Sequence, residues 1–169
     1  LTQAGIQVAH AAVKGEPSPA LVDETAARYR SEGIDWVVAI GGGSVLDAGK
    51  AISAMIRQQG SVCAYLEGME TAKHDGRKVP FIAIPTSSGT GSEATLAAVV
   101  TDYSTHHKYA IQDPVLLPKY AVLDPELTVG LPPHVTSTTG MDALTHSVEA
   151  YTNKFAPKYT RVLAEKSTK

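Results

Sequence analysis

The chain has 169 residues, a net charge of −2 and 43% apolar side chains, with acidic and basic residues interspersed. That length sustains one domain with a packed core and the start of a second. There is no basic block of the kind that grips phosphate backbones, no apolar run near the ~20 residues of a membrane-crossing helix, and one cysteine, Cys63; nucleic-acid binding, membrane insertion and an intramolecular disulfide framework are set aside.

A single thiol and the lack of a visible signal-peptide pattern fit a reducing, cytoplasmic compartment. The opening LTQAGIQVAH reads as the end of a helix entering a strand, Ile6–Val13. Pro17 and Pro19 break the chain. Ser18 is placed to cap a helix with Pro19 at its first position and Leu21, Val22, Thr25, Ala26 and Tyr29 on its apolar face; Gly33 ends it. IDWVVAI (34–40) is a continuous apolar run, the mark of a strand buried on both sides of a parallel sheet. The loop GGGS follows, and Val45–Ile56 has helical spacing. The pattern then repeats, with VPFIAIP (79–85) as a buried strand and a second small-residue loop after it. ATLAAVVTD (94–102) and Lys108–Gln112 read as paired strands, and YAVL (120–123) as a short one. From Pro132 onward only helices are expected, through the stretch TGMDALTHSVEAY and on to 158–166. The closing LAEKSTK carries no Gly or Pro stop, so the chain reads as an internal piece of a longer protein. Alternating strands and helices to about residue 131, followed by helices alone, predict an α/β layer with a parallel sheet that feeds a helical second domain.

Two loops sit at the carboxyl ends of buried strands, where ligands bind in open parallel sheets. In Gly41–Ser44 the missing side chains let backbone N–H groups approach a phosphate, and the helix that follows adds the partial positive charge of its N-terminus. Asp47, in the first turn, is placed either to cap that helix or to bond a sugar or amide of the ligand. The loop is neither the G-x-G-x-x-G fingerprint, since Leu46 takes the last position, nor a P-loop. The second loop, PTSSGTGSEAT (85–95), presents the hydroxyls of Thr86, Ser87, Ser88, Thr90 and Ser92, which suit phosphate and ribose oxygens. Lys108 is the nearest candidate cation. Two such loops after two buried strands predict a shared diphosphate site.

On a helical wheel Asp142, Thr145, His146 and Glu149 share one side, opposite Met141, Leu144, Val148 and Tyr151. Asp142 and His146 could hold one ion, but the face of an amphipathic surface helix has the same pattern, and Thr139-x-x-Asp142 also matches a capping box. Spacing leaves the choice open. His10, His74, His106, His107 and His134 read as structural or solvated, and Cys63 as a small buried residue.

Taken together, four stretches resemble the iron-containing (group III) alcohol dehydrogenases: Gly41-Gly42-Gly43-Ser44-x-x-Asp47-x-x-Lys50, PTSSGTGSEAT, Asp124-Pro125-Glu126 and GMDALTHSVEAY. They run in order over essentially the whole chain. The resemblance implies a Rossmann-like dinucleotide-binding domain at 1–131 and the start of a helical metal-binding domain at 132–169, in a dehydroquinate synthase-like architecture. It implies NAD or NADP along the carboxyl edge of the sheet, held by Gly42, Gly43, Ser44, Asp47, Thr86, Ser87, Thr90 and Thr95, with Lys108 and Val135 also in contact. It makes Asp142 and His146 two of four ligands to Fe²⁺, or in some members Zn²⁺, with the other two beyond residue 169. The implied partners are a small alcohol or aldehyde and a second copy of the chain, with the exposed first strand as an open sheet edge. A dehydroquinate synthase-type lyase uses NAD and a metal on a similar scaffold, as an alternative, and a non-catalytic nucleotide-binding or scaffold chain is another; GMDALTH favours the alcohol dehydrogenases.

Overall fold

The structure, a computed structural model, describes residues 2–168. Helix α1 (Pro19–Tyr29) begins as its sequence dictates: the Ser18 hydroxyl accepts from the Leu21 N–H at 3.1 Å, and Pro19 occupies the first turn. It buries Val22, Ala26 and Tyr29, one stripe at helical spacing. Gly33 follows in the left-handed region at φ 66°, where a Cβ would be strained.

Three parallel strands form the main sheet: β1 (Val37–Gly41), β2 (Phe81–Pro85) and β5 (Tyr120–Ala121), in the order β1-β2-β5. Val37 lies opposite Phe81 and Gly41 opposite Pro85; Ile82 lies opposite Tyr120. β1 starts later than the apolar run suggests, because Val37 is where its N–H meets the Pro80 carbonyl, at 2.9 Å. Helix α2 (Gly43–Met55) crosses between β1 and β2 and packs on the face that carries Ala39, Phe81 and Ala83. At Gly49 a Cβ would stand 2.7 Å from the Phe81 ring and 2.8 Å from Ala39 Cβ, so glycine lets the helix lie flat on the sheet. The opposite face is open, with Val38 48% and Ile40 60% exposed. The expectation of burial on both sides of this strand is therefore corrected: α2 covers one face only.

An antiparallel hairpin, β3 (Ala97–Asp102) with β4 (His107–Gln112), pairs with Ala97 opposite Gln112. It closes over α2 on the far side from the sheet, and Ala98, Val100 and Ile111 join Val22, Ala51 and Met55 in the main core. Residues 6–13 form no strand: they are irregular and mostly exposed. The open sheet edge expected there belongs to β1, which among the described residues pairs only with β2. The segment after them is fixed by Glu16. Its carboxylate accepts from the Lys108 ammonium and the Thr101 hydroxyl, and its carbonyl from the Tyr103 hydroxyl at 2.9 Å. The Lys108 and Thr101 bonds hold the Glu16 carboxyl below its ordinary range. Cys63 is exposed; in the 3₁₀ turn Val62–Tyr65 it is Val62 that takes the buried position.

Helix α3 (Pro133–Thr152) runs unbroken through the stretch that looked like a helix start. Thr139 is two turns inside it and its hydroxyl accepts no capping bond; it donates back to the Val135 carbonyl at 2.9 Å. The capping-box reading is thus corrected. Thr138, Thr145, Ser147 and Thr152 bond the carbonyl four residues earlier in the same way. Helix α4 (Lys158–Ser167) packs on α3, joined by Ser147 and Ser167, with Ala164 buried between them. Met141, Leu144, Val148 and Tyr151 lie exposed.

Two outcomes are expected. Gly49→Ala should destabilise the chain by about 1–3 kcal/mol through overpacking, more than the about 0.5–1 kcal/mol that alanine gains in a helix; a lower urea midpoint checks it. The Glu16 carboxyl should titrate by NMR below an ordinary glutamate. What it contributes to stability is then present above that ordinary value and fades as pH falls through the lowered one. Lys108→Ala should move the midpoint back up.

Candidate functional site

The first glycine loop is the turn from β1 into α2. Gly42 is the N-cap, and no side chain caps the helix. The first intrahelical bonds are made by Val45 and Leu46, which donate to the Gly42 carbonyl. The amides of Gly43 and Ser44 precede them, and such first-turn groups have no helical acceptor. An uncapped helix start with bared amides is a ready anion site.

The second loop follows β2 and lies directly against the first. The Thr86 N–H donates to the Gly41 carbonyl at 2.9 Å. A Cβ at Gly42 would come 3.4 Å from Ser87 Oγ, and one at Gly43 only 2.7 Å from Thr90 Cγ2. The structure therefore brings Gly42, Gly43, Ser44, Thr86, Ser87 and Thr90 together at the rim formed by the carboxyl ends of β1 and β2. Gly91 turns the loop at φ 65°, after which Ser92–Ala94 form a 3₁₀ turn.

Beneath the two loops lies a charged brace. Asp47 accepts from the Ser92 hydroxyl and, at 3.1 Å, from the Val99 N–H; it pairs with Lys50 at 3.0 Å. The Lys50 side chain is fully enclosed. Its ammonium donates to the Ser92 carbonyl at 2.9 Å, to Thr95 Oγ1 at 3.0 Å and to the Ala97 carbonyl. Burial pushes the Lys50 ammonium down from its ordinary value, opposed by the carboxylates of Asp47 and then Glu93. One expectation is corrected here: the Asp47 carboxylate does not cap the helix, and its bonds go to Ser92, Lys50 and Val99. Lys50 is bonded to the second loop, while the Lys108 ammonium pairs with Glu16. The signal for Lys50 was present as the Asp47-x-x-Lys50 spacing, which puts the pair on one helix face.

The third component is α3. A Cβ at Gly89 would lie 2.5 Å from the Thr139 carbonyl oxygen and 2.9 Å from Thr139 Cα. The crown of the second loop thus touches the α3 backbone. Thr139, Asp142 and His146 fall at i, i+3 and i+7, on one stripe of the helix. His146 Nε2 lies 3.6 Å from Asp142 Oδ1, and the two side chains are 59% and 44% exposed. An imidazole and a carboxylate one turn apart suit a borderline divalent ion as half of a ligand set. Among the described residues no group of three or more His, Cys, Asp or Glu is placed to hold a metal. Val135, one turn before Thr139, accepts the Thr139 hydroxyl bond. A separate groove of about 530 Å³ is lined by Met55, Tyr65, His74, Ile111 and Leu116 and shares no residue with the loops.

Known proteins share this fold. A family model described as "Iron-containing alcohol dehydrogenase" matches residues 1–125. The chain is 42% identical over 166 residues to a choline dehydrogenase of Bacillus subtilis, covering 97% of this chain and 41% of that one. It is 39% identical to an NADPH-dependent butanol dehydrogenase of Clostridium saccharobutylicum, covering 97% and 42%. The crystal structure of sulfoacetaldehyde reductase from Bifidobacterium kashiwanohense in complex with NAD⁺ superposes with a TM-score of 0.79 at 31% identity, over 91% of this chain and 44% of that one. The chain thus spans about two-fifths of the length of these relatives. On its Rossmann-like sheet and the match over most of its residues, the chain belongs to the iron-containing alcohol dehydrogenase family.

Proposed function

We propose that this chain forms the nucleotide-binding part and the first metal-binding helix of an NAD(P)- and iron-dependent oxidoreductase that interconverts small alcohols and aldehydes or ketones. One observation carries the reading: the Gly89–Thr139 contact joins the helix of Asp142 and His146 to the loop that faces the bared amides of α2. Residues 1–131 are read as the dinucleotide domain and 132–169 as the start of the helical one.

The amides of Gly43 and Ser44 and the hydroxyls of Ser87 and Thr90 would take the diphosphate, with Thr86 and Thr95 along the ribose side. The absence of a side chain at Gly42 and Gly43 lets Ser87 and Thr90 stand against the bared amides. Lys108, whose ammonium pairs with Glu16, and Val135, on α3, would flank the cofactor. The NADPH-dependent relative and the NAD⁺-bound neighbour support a nicotinamide dinucleotide of either kind. Asp142 and His146 would hold Fe²⁺ together with two further ligands from outside these residues. Bound together, the ion supplies Lewis acidity at the substrate oxygen and the nicotinamide ring carries the hydride. The chain's own share is to bind, orient and bring the two sites into contact. Pairing of two copies, a cytoplasmic setting and a small carbonyl or alcohol substrate complete the proposal; among the described residues no helix is long and apolar enough to cross a membrane.

Fluorescence titration with NADH and NADPH tests the nucleotide reading. Gly43→Val should weaken binding at least tenfold, because its side chain would enter the space of Thr90; unchanged affinity would falsify the loop assignment. Metal analysis tests the second part. With two ligands the chain should take up Fe²⁺ weakly, and Asp142→Ala or His146→Ala should each remove that uptake while leaving NADH affinity within about twofold. Metal uptake indifferent to both substitutions would refute the assignment.

A further inference from the structure

We propose that Lys50 is a positioning residue for cofactor binding: a buried ammonium that fixes the second loop against the first without touching the ligand. This rests on the dinucleotide reading of the two loops. Lys50 lies two turns into α2, and its enclosed ammonium is shared among the Ser92 carbonyl, Thr95 Oγ1, the Ala97 carbonyl and the Asp47 carboxylate. Three of these four acceptors belong to residues 92–97, the end of the second loop and the first residue of β3. The fourth is one turn back on α2, the helix whose start is the first loop.

A charge enclosed in this way costs desolvation, and apolar side chains of similar volume in place of both Lys50 and Asp47 are often as stable, whereas an apolar side chain for Lys50 alone strands the Asp47 carboxylate. What the apolar side chain lacks is direction. The ammonium ties one loop's arm to the other loop's helix at a fixed height, and Asp47 repeats the tie through the Ser92 hydroxyl and the Val99 N–H. The loops meet above this brace at Gly42–Ser87 and Gly43–Thr90, where a Cβ already has 3.4 Å or less. A shift of the second loop by even a fraction of that distance would part the donors meant for one diphosphate. Lys50 also orients Thr95, whose hydroxyl oxygen accepts its N–H.

NADH titration of the chain, Lys50→Met and Val22→Ala decides the matter. Val22 is fully buried in α1, so its truncation lowers stability without touching the brace. Lys50→Met is expected to raise the NADH dissociation constant at least tenfold in samples whose circular dichroism shows native helix content. Val22→Ala is expected to lower the thermal midpoint and leave that constant within twofold. Lys50→Gln keeps two donors and drops the charge; its loss should be intermediate, and it carries the same test if the methionine variant does not fold. Equal affinity for Lys50→Met, or for Lys50→Gln where it stands in, and the unsubstituted chain overturns the positioning role alone. So does an equal loss in Val22→Ala, which would make the effect one of stability. Failure of the unsubstituted chain to bind NADH overturns the dinucleotide reading and this inference with it.

Discussion

Nine of the thirteen residues of α2 are buried, between the sheet on one side and α1 and the β3–β4 hairpin on the others. A helix enclosed to that degree is built from apolar side chains, small where neighbours approach closely, and from polar ones whose bonds are met. Ala48, Gly49, Ala51 and Ala54 meet the first demand, and Lys50 and Ser53 the second: the Ser53 hydroxyl donates to the Lys50 carbonyl at 2.8 Å. With the helix fixed on all sides, its N-terminal amides are fixed as well. The loops, the brace and the approach of α3 all take their positions from it.

The site is assembled by missing atoms as much as by present ones. Gly49 sets the depth of α2 on the sheet, Gly43 the approach of Thr90, and Gly89 the approach of α3. Each replaces an ordinary side-chain contact with a backbone or near-backbone one, and such contacts yield little. The family's chemistry asks that a nucleotide and a metal face each other at a set separation. In the reading proposed above, that separation would be set in part by Gly89 against the Thr139 backbone.

Much of this was legible in the sequence because the signals were local. Ser18-Pro19 announced α1, the two apolar runs announced β1 and β2, and GGGS and PTSSGTGSEAT announced loops that do adjoin. What was not legible depended on partners distant in the chain. Residues 6–13 have strand-like composition but no neighbouring strand to pair with. Asp47 is drawn inward by Ser92 and Val99, and Lys108 outward by Glu16, which precedes it by more than ninety positions. Thr139 could be mistaken for a cap because threonine serves equally inside a helix when it returns its proton to the preceding turn. Asp142 and His146 keep two meanings in the sequence, and the Gly89 contact adds only that their stripe continues toward the second loop.

The threonines and serine of α3 carry one more implication. Thr138, Thr139, Thr145, Ser147 and Thr152 each give their hydroxyl hydrogen to a carbonyl of the same helix. Their donors are therefore already spent before anything else arrives. Such a rod can be sheathed at those positions by neighbouring apolar matter without stranding those protons, which leaves Asp142, His146 and Glu149 as the groups that still ask for a polar neighbour.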